Sequence, residues 1–144
     1  SGGDYLIVPG GGSRIPATID SVKDRKHYIK QDGKTVFKYA VRGMAEVSEK
    51  ILFNNNLTGK DVALFIPHQA NKRIIDAAAE RCGIPEDRVL INIDKFGNTT
   101  AGTIPIALDE AVDCGRVREA DYILLSAFGA GFTWGSVLMK WNYK

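Results

Sequence analysis

At 144 residues, with 44% hydrophobic and 25% charged residues, the chain has the size and balance of one globular domain with a real core, not of a disordered segment. A formal net charge of +2 is too small for general nucleic-acid binding, and no apolar run approaches the ~18 residues that a transmembrane helix needs. The two cysteines, Cys82 and Cys114, form neither a metal-ligand spacing nor a disulfide framework, which fits a reducing cytoplasm.

The chain opens "SGGDY", with no initiator methionine and no signal-peptide pattern, and reads as a piece of a larger protein in which Ser1 could be a cloning scar. "DYLIV" predicts a short strand that runs into the Gly/Pro loop at 9–12. A second short strand is expected at "KHYIK", closed by a turn at Asp32-Gly33. From Val36 to about Phe53 the apolar residues Phe37, Ala40, Val41, Met44, Val47, Ile51 and Leu52 recur at three and four, the pattern of an amphipathic helix, which "NNN" at 54–56 ends. "DVALFIP" reads as a buried strand, apolar on both faces as central parallel strands are.

A helix from about Gln69 to Cys82 follows, with Gly83 as its C′ residue and Pro85 beyond. "RVLINID" predicts a further strand and "FGNTTAG" a turn, followed by the helix "TIPIALDEAVDCG" with Pro105 in its first turn. "DYILLSAFGAGFTWGSVLMKWNY" closes the chain as an antiparallel strand pair around a glycine-rich corner. The sum is an α/β fold: a layered mixed sheet with helices on its faces. Residues 1–34 are expected as a strand-and-loop lead-in and 35–144 as the domain proper.

His68 stands where the strand "DVALFIP" ends, the sheet edge at which open α/β folds bind ligands. Taken alone it is better explained as a strand-ending histidine with local hydrogen bonds, because no spacing motif selects it. Asn98, after "RVLINID", shifts that balance: the two loops are expected at one edge, where an imidazole and a carboxamide form a donor pair suited to a developing oxyanion. The plainer alternative is that Gly97-Asn98 is only a turn dipeptide.

The corner at Phe128, Gly129, Ala130 and Gly131 can aim backbone N–H groups into a site, while Phe128, Phe132 and Trp134 are expected in the core. Cys82 and Cys114 read as structural thiols, and "GGGSR" as a loop without the lysine of a phosphate-binding motif.

At "PHQAN", "GNTTAGTIPIALDEA" and "AFGAGFTWGS" the chain resembles the C-terminal half of β-ketoacyl-acyl carrier protein synthase III, a thiolase-like condensing enzyme. The resemblance covers nearly the whole chain, and Asn98 lies thirty positions after His68 as in that family. It implies a Cys-His-Asn triad, with His68 and Asn98 as the catalytic histidine and asparagine and the cysteine in the N-terminal half. The implied reaction joins an acyl-coenzyme A primer to malonyl-acyl carrier protein by decarboxylative condensation in fatty acid synthesis, without a tightly bound cofactor or metal.

The resemblance also implies that Gln69, Ala70, Asn71, Lys72 and Arg73 form the carrier-docking segment, with Lys38, Arg81 and Phe37 as weaker carrier or coenzyme A contacts. Phe128 to Gly131 would complete an oxyanion hole with the N–H of the cysteine. Implied partners are acyl carrier protein, acyl-coenzyme A, the chain's own N-terminal half and a second copy in a homodimer; nucleic acid and membrane are not among them.

Three positions depart from the family pattern. Ala130 replaces a middle glycine, Lys34 stands where a coenzyme A contact is expected, and Glu80 precedes Arg81 in the carrier patch. The alternatives are a noncatalytic thiolase-like subunit that binds carrier, or a related enzyme using the same triad, such as a type III polyketide synthase.

Overall fold

A computed structural model describes residues 2–142, so Ser1 and the end of the last expected strand at Tyr143 lie outside the described residues. The long helix α2 runs over Gly33–Asn54, three residues earlier than the periodicity predicts. Asp32-Gly33 is not a hairpin turn. The Asp32 carboxylate accepts from the Thr35 N–H at 3.0 Å and caps the helix, satisfying one of its orphan donors. Val36, Ala40, Met44, Ser48 and Leu52 form the buried stripe of α2, at the spacing that puts them on one face.

Upstream, β1 (Leu6–Ile7) pairs antiparallel with β2 (Lys30–Gln31), so most of the strand expected at "KHYIK" is not strand. Its first residues instead approach α1 (Ile19–Lys23), a short helix that the polar sequence hides, where His27 Nε2 lies 2.8 Å from Ser21 Oγ. Thr18 and Ser21 close α1 with a reciprocal capping box.

The main sheet has the order β3-β4-β5, with β3 (Leu64–Pro67) parallel to β4 (Tyr122–Gly129) and β4 antiparallel to β5 (Thr133–Lys140). All four residues of β3 are buried, and successive side chains serve opposite faces. Phe65 and Leu124 pack with Ala45, Leu52, Ile75 and Ala79 from α2 and from α3 (Lys72–Arg81). Leu64, Ile66 and Ile123 pack on the other side with Ala107 and Ala111 of α5 (Thr103–Asp113). Two helices, a sheet and a helix thus form the expected layers. Among the described residues no helix is long and apolar enough to cross a membrane.

"RVLINID" is not a strand. Val89 makes one parallel bridge to Phe65, with the Leu90 N–H donating to Phe65 O at 2.9 Å, and the chain then turns into the single helical turn α4 (Ile93–Phe96). The reason lies in Gln69, which stands outside α3 and is only 1% exposed. Its Nε2 donates to Pro67 O at 2.9 Å and Leu90 O at 3.1 Å, and its Oε1 accepts from the Asn92 N–H at 3.0 Å. One buried side chain thus supplies the hydrogen bonds that further strand pairing would have made.

Candidate active site

Parallel pairing brings the C-terminal ends of β3 and β4 to one edge, and His68 continues the ladder one step by donating its N–H to Ser126 O at 2.8 Å. The ring turns toward the start of α5, with Nδ1 2.6 Å from Thr103 Oγ1. Partial burial disfavours the imidazolium and lowers the His68 pKa below its ordinary value, so the ring is neutral at neutral pH.

Asn98 follows Gly97, whose φ of 67° is a left-handed conformation that favours glycine. The Asn98 Oδ1 accepts from the Thr100 N–H at 2.9 Å, which fixes the amide orientation and leaves the Nδ2 hydrogens unused by that turn. His68 and Asn98, far apart in sequence, line one cavity of about 1150 Å³.

Phe128, Gly129 and Ala130 from the corner also line this cavity, as do Ala70, Asn71 and Arg73 from the entry to α3. Phe37 joins them from α2, and the Arg73 guanidinium lies 5.3 Å from the centre of its ring. The methyl of Ala130 sits in a backbone without positive φ, so replacing a glycine there costs no strain. Gly131 differs: its φ is 139°, and an added Cβ would lie 2.9 Å from Thr133 Cγ2.

Of the aromatic residues of the corner, Phe128 packs against the core cluster of Ala40, Met44, Ile74 and Ala78 as expected, and Trp134 does not lie in the core. Phe128 stacks on Trp134 at 6.1 Å and meets Phe132 at 4.9 Å, but Trp134 is 42% exposed and borders the cavity.

Several expected residues are not brought to the cavity. Gln69 is buried with its amide committed inward, so a surface contact with a carrier protein is ruled out for its side chain. Asn71, by contrast, does line the cavity, and its Oδ1 also caps α3 by accepting from the Arg73 N–H at 2.9 Å. Lys72 pairs with Asp76 at 2.7 Å on the exposed face, and Lys38, Arg81 and Gly131 are exposed away from the lining.

Both cysteines are off the site. The Cys82 thiol is buried beside Ala45 O, and desolvation pushes its pKa up to about 11, while Cys114 caps the C-terminus of α5. Among the described residues no group of three or more His, Cys, Asp or Glu could hold a metal ion.

Lys34, singled out above as a departure from the family pattern, lines the cavity from the first turn of α2. Thr103 escaped sequence reasoning: it contacts the histidine although thirty-five residues separate them. It carries no local signal, because only the packing of α5 against β3 makes it a neighbour of His68.

Known proteins share this architecture. A synthase III structure from Thermus thermophilus superposes with a TM-score of 0.84 at 44% identity, covering 98% of this chain and 43% of that one. The 3-oxoacyl-[acyl-carrier-protein] synthase III of Aquifex aeolicus gives 0.79 at 48% identity over 82% of this chain and 38% of that one. The layered mixed sheet is therefore a thiolase-like α/β fold.

By sequence, the chain is 54% identical over 142 residues to the β-ketoacyl-[acyl-carrier-protein] synthase III of Koribacter versatilis, covering 99% of this chain and 43% of that relative. The profile of the family described as "3-Oxoacyl-[acyl-carrier-protein (ACP)] synthase III C terminal" matches residues 52–141, and the chain belongs to that family. It spans less than half the length of the relatives it matches.

Proposed function

We propose that this chain supplies the histidine and asparagine of a decarboxylative condensing site, and that the nucleophilic cysteine comes from the remainder of the enzyme. The reaction joins an acyl-coenzyme A primer to malonyl-acyl carrier protein in fatty acid synthesis. The observation that carries the reading is the meeting of His68 and Asn98, from two separate loops, in one cavity bordered by the cations Lys34 and Arg73. Neither cysteine lines that cavity.

The primer acyl group is held as a thioester on the cysteine. The malonyl carbon–carbon bond then breaks, carbon dioxide leaves, and the electron pair passes into the thioester to form an enolate. His68 Nε2 and Asn98 Nδ2 donate hydrogen bonds to its oxygen as charge develops, the situation in which preorganised donors contribute most. The enolate carbon attacks the acyl carbonyl and the cysteine leaves as thiolate. Neutral His68 fits this role, since loss of carbon dioxide generates the carbanion without a strong base.

Backbone N–H groups at Phe128 to Gly131 would receive the second oxyanion, the one formed on the acyl carbonyl. The pantetheine arm of the carrier would pass Asn71 and Phe37, and Arg73 would face its acidic surface.

The test uses the full-length enzyme. Asn98→Ala should lower malonyl-carrier decarboxylation by about 10²–10³-fold while acyl transfer from coenzyme A to the cysteine persists. Unchanged condensation in a His68→Ala/Asn98→Ala double variant would favour a noncatalytic, carrier-binding role.

A further inference from the structure

His68 can take part as a hydrogen-bond donor only if the proton of its neutral ring is on the nitrogen that faces the cavity. The surroundings of its other nitrogen decide this. Thr103 is only 3% exposed, and its hydroxyl has a single hydrogen with two acceptors in reach: His68 Nδ1 at 2.6 Å and Thr100 O at 3.1 Å.

The two assignments of that hydrogen differ in quality. If Nδ1 carried a proton and donated to Thr103, the contact would be an N–H···O bond shorter than the usual ~2.7–3.2 Å, and the hydroxyl would reach Thr100 O beyond the usual ~2.5–3.0 Å for O–H···O. If the hydroxyl donates to Nδ1, its one hydrogen serves the nearer acceptor, and the longer Thr100 contact is a residual one.

We infer that Thr103 is a positioning residue: its hydroxyl donates to His68 Nδ1, fixes the ring proton on Nε2 and thereby turns the histidine into a donor toward the cavity. Asn98 is treated the same way by its own loop, where the Thr100 N–H occupies Oδ1 and leaves Nδ2 as the outward group. At both residues a local donor occupies the acceptor atom, so the atoms left to the site are both donors. This arrangement matches a developing oxygen anion and mismatches a proton to be abstracted.

The consequence for the rate rests on the condensing reading above, but the proton position does not. The experiment is ¹⁵N NMR on histidine-labelled full-length enzyme, with the His68 signals assigned by their loss in His68→Ala. The expected spectrum has neutral His68 protonated on Nε2 and hydrogen-bonded at an unprotonated Nδ1. A proton on Nδ1 overturns the inference, whether or not any Thr103 variant folds.

Thr103→Val should move the Nδ1 resonance toward that of a free ring nitrogen. It should also lower decarboxylation kcat by about tenfold, the size of one hydrogen bond lost, with KM for the malonyl carrier unchanged. Thr103→Ser should restore both. An Nδ1 resonance that stays in place in Thr103→Val, or a serine variant as impaired as valine, also overturns it. The expected spectrum from an enzyme that does not condense would leave this inference standing and remove the condensing reading instead.

Discussion

The loop that carries His68 is half-buried and tied to the sheet, whereas the loop that carries Asn98 is exposed and held at its tip by one local turn. Beneath this contrast they share an anchor. Gln69, next to His68, bonds Leu90 O and the Asn92 N–H on the segment that leads to Asn98. The relative placement of the two side chains therefore depends on a single buried amide, not on continuous strand pairing. Precision is built in from below, and the exposed tip needs only its Asx turn.

The sharpest way to break this arrangement is Gln69→Leu, which keeps bulk but removes all three hydrogen bonds. Pro67 O, Leu90 O and the Asn92 N–H would be left buried and unpaired, at ~1–3 kcal/mol for each orphan that finds no water. We expect a loss of ~3–5 kcal/mol of unfolding free energy in denaturant titration. A loss below ~1 kcal/mol would show that the loops do not depend on this amide.

The opposite behaviour is expected at the tip. Asn98→Asp keeps the Oδ1 acceptor for the Thr100 N–H but replaces the outward donor with an acceptor. Decarboxylation should fall about 10²-fold, while stability changes by no more than ~0.5 kcal/mol. A variant that melts early instead would mean that the exposed loop is structural after all.

A smaller effect separates the two anchors of the Asn98 segment. Glu110 accepts from Asn92 Nδ2 at 2.8 Å and from Lys95, joining α4 to α5. The Lys95 hydrogen bond, and then that from Asn92, hold its carboxyl below the usual carboxylate range. A lowered folded-state pKa contributes stability above the unfolded value of ~4.3, which is lost as pH falls through the folded one. Stability of the parent should therefore fall more steeply below about pH 4.3 than that of Glu110→Gln. Parallel pH profiles would mean that the carboxylate adds nothing to this anchor.

What could be read from the sequence follows from how each element encodes itself. The three-and-four spacing along α2, the doubly apolar β3 and the Gly-rich corner between β4 and β5 are local patterns, and the structure contains all three. The pairing of His68 with Asn98 at one edge was legible because both follow apolar runs, even though the second run proves not to be a strand.

Gln69 was not legible, because a buried amide that replaces ladder hydrogen bonds looks in sequence like any polar helix start. Capping preference held the missing clue. Asn71 is a better N-cap than Gln69, and starting α3 there excludes Gln69 from the helix. The same preference would have recognised Asp32 as a cap instead of half of a turn.

The smallest expected effect lies on the rim, where two adjacent cations differ in a way their sequence does not reveal. Lys72 is paired with Asp76 at 2.7 Å, so its charge is largely offset. Arg73 has no carboxylate partner among the described residues and lies over Phe37 beside the cavity. An acidic carrier should therefore feel Arg73 more than its neighbour. Arg73→Ala should raise KM for the malonyl carrier about three- to fivefold, the upper range of an exposed ion pair, and Lys72→Ala less than about twofold. Raising ionic strength from about 0.15 M to 1 M shortens the screening length from ~8 Å to ~3 Å and should erase the difference. Equal effects at low salt would show that the carrier reads the net charge of the helix face and not the Arg73 guanidinium in particular.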